Sequence, residues 1–217
     1  MKGDIIIVEQ HHVRAAQKIA SHILPTILNG KGRYVVTVSG ESGSGKSETA
    51  KALSDALGAR NIACAVLAQD DYFILPPKQN DKKRRQDDAW LGPHAEVNMN
   101  LLNRHILEAL NGADKISKPL VDYDNDSISE ETLSLEGVKV LIIEGTYTAL
   151  LRHVDCRVFI NRNRLDTLEH RKKRNRGNEA NDPFIEDVLK TEHKIIAGHR
   201  FLADVVITKD YQVEMNP

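Results

Sequence analysis

Cysteine is scarce, and the two residues present, Cys64 and Cys156, stand too far apart to form a CxxC pair. The sequence therefore predicts reduced, buried thiols rather than a disulfide framework or a thiol metal site. Long apolar runs are missing too. Ile5 to Val8 is too short for the core of a signal peptide and follows Asp4, and no later segment reaches bilayer length. A cytoplasmic chain with no membrane partner is the expectation. Excess charge of either sign is absent, with a formal net charge of −1, so no global field exists to hold nucleic acid or anionic lipid. Internal repeats and low-complexity linkers are also missing, which leaves no reason to divide the chain.

What is present is ordinary globular material, 41% apolar and 28% charged over 217 residues. One core can serve that length, so residues 1–217 read as a single domain whose residues 1–32 form a helical extension. Apolar residues Val13, Ala16, Ile19, Ala20, Ile23 and Ile27 recur at helical spacing between Glu9 and Leu28, with Pro25 expected to bend or shorten the last turn. Four short β-branched runs follow, at Arg33 to Ser39, Ile62 to Ala68, Val138 to Ile143 and Cys156 to Ile160, and a last one at Asp204 to Thr208. Helical spacing separates them at Lys46 to Leu57, Asn98 to Leu110, Leu165 to Arg174 and Pro183 to Ala197. Alternation of this kind predicts a mainly parallel sheet covered by helices on both faces. The charged stretch from Pro76 to Pro93 breaks the rhythm and reads as a mobile excursion, with Lys82 to Arg85 as a solvated loop.

The chemistry is concentrated at a few points. Gly40-Glu41-Ser42-Gly43-Ser44-Gly45-Lys46-Ser47 satisfies G-x-x-x-x-G-K-[ST], between a strand and a helix as that pattern requires. Its glycines allow a concave backbone whose N–H groups face inward at the positive end of the next helix, a cradle for phosphate oxygens. Lys46 would reach the β- and γ-phosphates and the Ser47 hydroxyl would ligate Mg²⁺, with Glu48 extending the nucleotide-binding set. Glu144 ends an apolar strand, where magnesium on a nucleotide needs an acidic partner. Asp70, Asp71, Tyr72 and Phe73 follow the second strand, so they emerge at the carboxyl edge where ligands bind in open parallel sheets. A carboxylate there can take the proton of an attacking hydroxyl, and Asp70 is also a candidate for the metal. Arg171, Arg174 and Arg176 lie in a basic run within residues 164–182, which reads as a lid able to neutralise a transferring phosphoryl group. His11, His12, His22, His193 and His199 show no metal-ligand spacing and read as structural or solvent-facing.

Taken in this order, the motifs resemble the uridine kinase and phosphoribulokinase-like group of P-loop kinases from Arg33 to Lys209. Gln69 to Phe73 is similar to the family's Q-D-[SD]-F-Y segment, whose first aspartate is the catalytic base, and this implies that role for Asp70. Ala95 to Leu102 resembles E-A-F-D-x-D-L-L, Pro119 to Ser127 the P-x-Y-D-F substrate strand, Ile143 to Gly145 the Walker-B turn, and Ala203 to Ile207 the closing A-D-V-I-I strand. The resemblance implies a three-layer α/β/α P-loop fold with a helical lid, ATP or GTP with Mg²⁺, and an acceptor site that includes Asp71, Tyr72, Phe73, Asn98, Asp122 and Tyr123. Asn98 and Asn100 replace family aspartates, Val121 replaces a tyrosine, and Asp126 and Ile128 stand where a histidine and an arginine are expected. The implied reaction is phosphorylation of a small metabolite's hydroxyl. A nucleoside is the first expectation, with a sugar phosphate, a vitamin, a nucleotide sugar and a non-kinase switch as alternatives, and a homo-oligomer stays open.

Overall fold

The computed structural model describes Lys2, residues 6–168 and residues 182–216. Its main sheet holds β1 (Tyr34–Gly40), β2 (Cys64–Ala68), β5 (Val140–Glu144), β6 (Cys156–Ile160), β7 (Val205–Ile207) and β8 (Val213–Met215), in the order β2-β5-β1-β6-β7-β8. Every pairing is parallel except that of β7 with β8. β8 is a short edge strand that hydropathy alone does not reveal, since Glu214 and Met215 are exposed.

Both faces of this sheet are covered, as the continuous apolar strands require. Alternate residues point to opposite sides. Val36, Val38, Val140, Ile142, Val158 and Ile207 pack beneath α1 (Gln10–Asn29) and α2 (Lys46–Gly58), which contribute Ala16, Ile19, Ile23, Leu53 and Leu57. Val35, Leu141 and Ile143 face the other way, against Leu102, Ile106 and Ala109 of α4 (Met99–Leu110) and Ile196 of α5 (Pro183–Ile196). The result is a three-layer α/β/α architecture with a mostly parallel sheet. Pro25 does not end α1, which continues to Asn29.

Two regions depart from the sequence expectation. A separate antiparallel hairpin, β3 (Lys115–Asp122) with β4 (Ser127–Ser134), stands off the main sheet. The stretch from Pro76 to Pro93 is ordered rather than a mobile excursion: it forms α3 (Pro77–Gln86) and a 3₁₀ turn at Asp88–Trp90. Pro76 and Pro77 suit a helix start, and Asp126 at the hairpin tip accepts a hydrogen bond from the Lys78 N–H at 2.7 Å, capping α3 from outside. The expected helix from Leu165 onward falls largely outside the described residues.

Candidate active site

Strand register builds the site. Ala68 of β2, Glu144 of β5 and Val38 of β1 lie in one row at the carboxyl edge. The segments leaving that row, Gln69 to Tyr72, Gly145 to Thr148 and the phosphate loop, are therefore neighbours. Gln69 occupies the space beside Gly145, where any side chain would collide with it, and its Oε1 accepts from the Tyr147 N–H at 2.7 Å. The Gln69 Nε2 is buried with no hydrogen-bond partner among the described residues.

The phosphate loop is held from several sides. Lys46 Nζ donates to the Glu41 carbonyl at 2.9 Å, lying across the loop it belongs to. Gly45 has φ +96°, and a Cβ there would strike the Tyr211 hydroxyl. That hydroxyl donates to the Ser44 carbonyl at 2.7 Å, accepts from Arg162 at 3.2 Å, and meets His12 Nε2 at 3.1 Å. The Tyr211 hydroxyl's pKa is raised by burial, with Arg162 acting in the opposite direction. On the open side, α5 reaches the loop through two consecutive residues. Glu192 accepts from the Ser42 N–H at 2.8 Å, and His193 Nδ1 meets Glu41 Oε1 at 2.5 Å. Burial pushes the Glu192 carboxyl upward, opposed by Lys46, the Ser42 N–H and Arg84.

The nest fits a polyphosphate. Gly43 and Gly45 both have positive φ, Ser44 Oγ is buried without a hydrogen-bond partner among the described residues, and α2 begins at Lys46. Beside it a cavity of about 660 Å³ runs from Glu41 past Asn161 and Arg162 to His193, Arg200 and Gln212, room enough for a nucleoside. For a cation the candidate donors are Ser47 and Asp70, both half-buried, and Glu144, which is buried. Among the described residues no group of three or more His, Cys, Asp or Glu side chains could hold a metal. One hydroxyl with carboxylates suits Mg²⁺ that arrives on a nucleotide and keeps part of its water shell.

On the far side of Asp70 lies a second cavity, of about 460 Å³. Phe73, α3, Tyr123, Thr146 and α5 line it together with Ser42 of the phosphate loop. Asp70 and Ser42 thus border one space. Asp71 points the other way, 1% exposed, with Oδ2 on Lys118 Nζ at 2.7 Å and Oδ1 accepting from the Val121 N–H at 3.1 Å. It ties the hairpin to the turn and leaves no face for an acceptor. Tyr72 is likewise withdrawn, fully buried with its hydroxyl 2.8 Å from His105 Nδ1. Asn98 caps α4 through the Leu101 N–H, and Asp122 holds the hairpin turn by accepting from Asn125 and pairing with Lys2, which keeps its carboxyl well below the usual range. Of the expected acceptor set, the structure places Phe73 and Tyr123 on the cavity.

Sequence reading passed over a buried network on this wall. Glu96, fully buried, accepts from Arg84 Nε at 2.6 Å, Asn80 Nδ2 at 3.2 Å, the Gly92 N–H at 3.1 Å and the Tyr147 hydroxyl at 3.3 Å. Asn80 in turn accepts from Trp90 Nε1 at 2.7 Å. Lys82 to Arg85 is therefore not a solvated loop: Arg84 is ion-paired with Glu96, and Arg85 with Asp81 and Asp182. The i, i+4 spacing of Asn80 and Arg84 was the available signal. Arg171, Arg174 and Arg176 lie outside the described residues.

A glycine nest at the end of a central parallel strand, a neighbouring strand-end acid and a carboxylate that borders one cavity with the phosphate loop define the class of P-loop kinase folds. The model of the phosphoribulokinase / uridine kinase family matches residues 35–189, and the chain belongs to that family. It is 31% identical over 196 residues to the bifunctional alpha-galactosidase/sucrose kinase AgaSK of Mediterraneibacter gnavus, covering 85% of this chain and 21% of that protein. It is 27% identical over 137 residues to a uridine kinase of Ureaplasma parvum, covering 61% and 64% respectively. The chain thus spans less than two thirds of either relative. The D-glycerate 3-kinase of Cryptococcus neoformans superposes over 93% of this chain and 99% of its own with a TM-score of 0.65 at 15% identity, a likeness of fold. Among the described residues no helix is long and apolar enough to cross a membrane.

Proposed function

We propose that the protein is a kinase that transfers the γ-phosphoryl group of ATP, or GTP, to a sugar hydroxyl of a small metabolite. The observation that carries this reading is the shared border of Asp70 and Ser42 of the phosphate loop on one cavity, with Asp70 two residues beyond Ala68, the strand-row partner of Glu144. The nest and Lys46 bind and orient the phosphates, and the helix end at Lys46 favours their charge. Ser47 and Glu144 would hold Mg²⁺, which when bound offsets charge on the β- and γ-phosphates. Asp70 accepts the proton of the acceptor hydroxyl and fixes its direction of approach. Because the transition state of phosphoryl transfer is loose, that role is chiefly one of positioning.

A nucleoside acceptor agrees with the relative named as a uridine kinase, and a free saccharide agrees with the one whose name includes sucrose kinase. Both present an uncharged sugar hydroxyl. A regulatory switch would position water and has no need of a cavity in front of the base. The test is ADP release from Mg-ATP over a panel of uridine, cytidine, glucose, fructose and sucrose, each beside a phosphate ester, with Lys46→Ala as control. Turnover that depends on an added acceptor and on Lys46 is expected. Hydrolysis at one rate with and without every acceptor would establish a switch instead.

A further inference from the structure

The cavity in front of Asp70 is lined by three cations, and two of them are already neutralised. Arg84 meets Glu96 through Nε and Nη2, both 2.6 Å from Glu96 Oε2. Arg85 is shared between Asp81 at 2.8 Å and Asp182 at 2.6 Å. Lys78 is exposed at the rim. Asp70 and Glu192 add carboxylates to the same lining. Among the described residues the deep part of the cavity thus holds no uncompensated positive charge for an anionic acceptor.

Arg84 is nonetheless placed as a ligand-binding group. The Glu96 bonds occupy one side of the guanidinium, while Nη1 has no protein partner among the described residues. The side chain keeps 21% of its exposure, lines the cavity with Asp70, and sits with its guanidinium carbon 5.6 Å from the centre of the Phe73 ring. Glu96 is in turn locked by Asn80, Gly92 and Tyr147. A planar guanidinium fixed on one edge presents its other edge in a defined direction. Two N–H donors at an apolar ring, with the charge balanced from behind, match a hydroxyl or carbonyl oxygen set against the face of a sugar or base.

We propose that Arg84 is an acceptor-binding residue, held side-on by Glu96 so that Nη1 donates to a neutral oxygen of the acceptor, and that this wall selects uncharged polyhydroxylated acceptors over their phosphate esters. The proposal rests on the kinase reading above. Arg84→Ala would leave Glu96 buried and unpaired, so the informative variants are Arg84→Lys, which keeps the charge and loses the fork, and the paired replacement Arg84→Met with Glu96→Gln. The experiment measures KM for ATP and for the best neutral compound of the panel, and repeats the panel with each phosphate ester. Melting curves run alongside. In both variants the acceptor KM should rise about ten- to a hundredfold, the range for a hydrogen bond to a charged group, with the KM for ATP within about twofold of wild type. In wild type each neutral compound should outperform its ester. An unchanged acceptor KM, or equal rises for acceptor and ATP, overturns the role of Arg84. Preference for the esters overturns the selectivity while leaving the kinase intact. No ADP release with any compound, neutral or esterified, removes the kinase reading and this proposal with it.

Discussion

On the proposed nucleotide side, β1 and β5 bury every one of their side chains beneath α1, α2 and α4, and the phosphate loop is a short irregular segment between β1 and α2. On the acceptor side, α3 buries Asn80 alone and is held by ion pairs, a cap from the hairpin and cations over aromatic rings. An apolar wall spreads its stability over many contacts, so single losses are partly absorbed by neighbours. A polar wall concentrates stability in a few buried charges, and removing one strands its partner. The packing beneath the phosphate loop should therefore lose stability gradually on substitution, and the wall around α3 in steps.

The two sides should respond differently to mutation, and the largest effect tests the nucleotide side. Lys46→Ala should weaken ATP binding and abolish turnover, measured by calorimetry and ADP release, because the backbone cradle alone leaves phosphate charge uncompensated. Next is the border between the sides. Asp70→Asn should lower kcat by at least about a hundredfold with ATP affinity preserved, whereas Asp71→Asn should chiefly destabilise the fold by about 3 kcal/mol. For a chain of this size that cost lowers Tm by about 6 to 12 °C. An intact Tm and a dead enzyme for Asp71→Asn would exchange the two roles.

Smaller effects sharpen the contrast. Glu96→Gln should cost about 2 kcal/mol in thermal or urea unfolding and raise the acceptor KM, since it weakens the bond to Arg84, and ATP affinity should stay put. A matching loss of ATP affinity would show that the two walls are not separable. Tyr211→Phe should do the reverse at the smallest scale. Removing the hydroxyl that links the Ser44 carbonyl to Arg162 and His12 should weaken ATP binding by about two- to tenfold, with the acceptor KM unchanged. Unaltered ATP affinity in that variant would mean the hydroxyl merely fills space.

How much of this is legible in the sequence follows from the same contrast. The strands, α2 and the loop are visible because apolar periodicity and glycine spacing are local signals, and β1, β5 and β6 fall within two residues of their expected bounds. α3 is invisible to that method because its sequence, PKQNDKKRRQ, has no apolar stripe, and its stabilising partners Glu96, Asp126 and Asp182 come from elsewhere in the chain. Asp70 and Asp71 are adjacent and chemically identical; the resemblance to the Q-D-[SD]-F-Y segment points to the first as the base, and the acceptor role expected of Asp71 is discounted only by its bonds to Lys118 and the Val121 N–H. Glu192 and His193 reach the phosphate loop from more than a hundred positions away, and nothing in their own neighbourhood signals it.

His12 and Tyr211 lie outside residues 35–189, one before and one after the segment that matches the family, yet they meet beneath Ser44 and Gly45. Inherited motifs and mechanical support are therefore distributed differently along this chain. A chimera that transplanted residues 35–189 from a relative would import the catalytic grammar without the splint that shapes its loop. Its nucleotide affinity would be set by how well the host's two ends fit the incoming Ser44 carbonyl, which makes the flanks a place to tune affinity without touching a single motif residue.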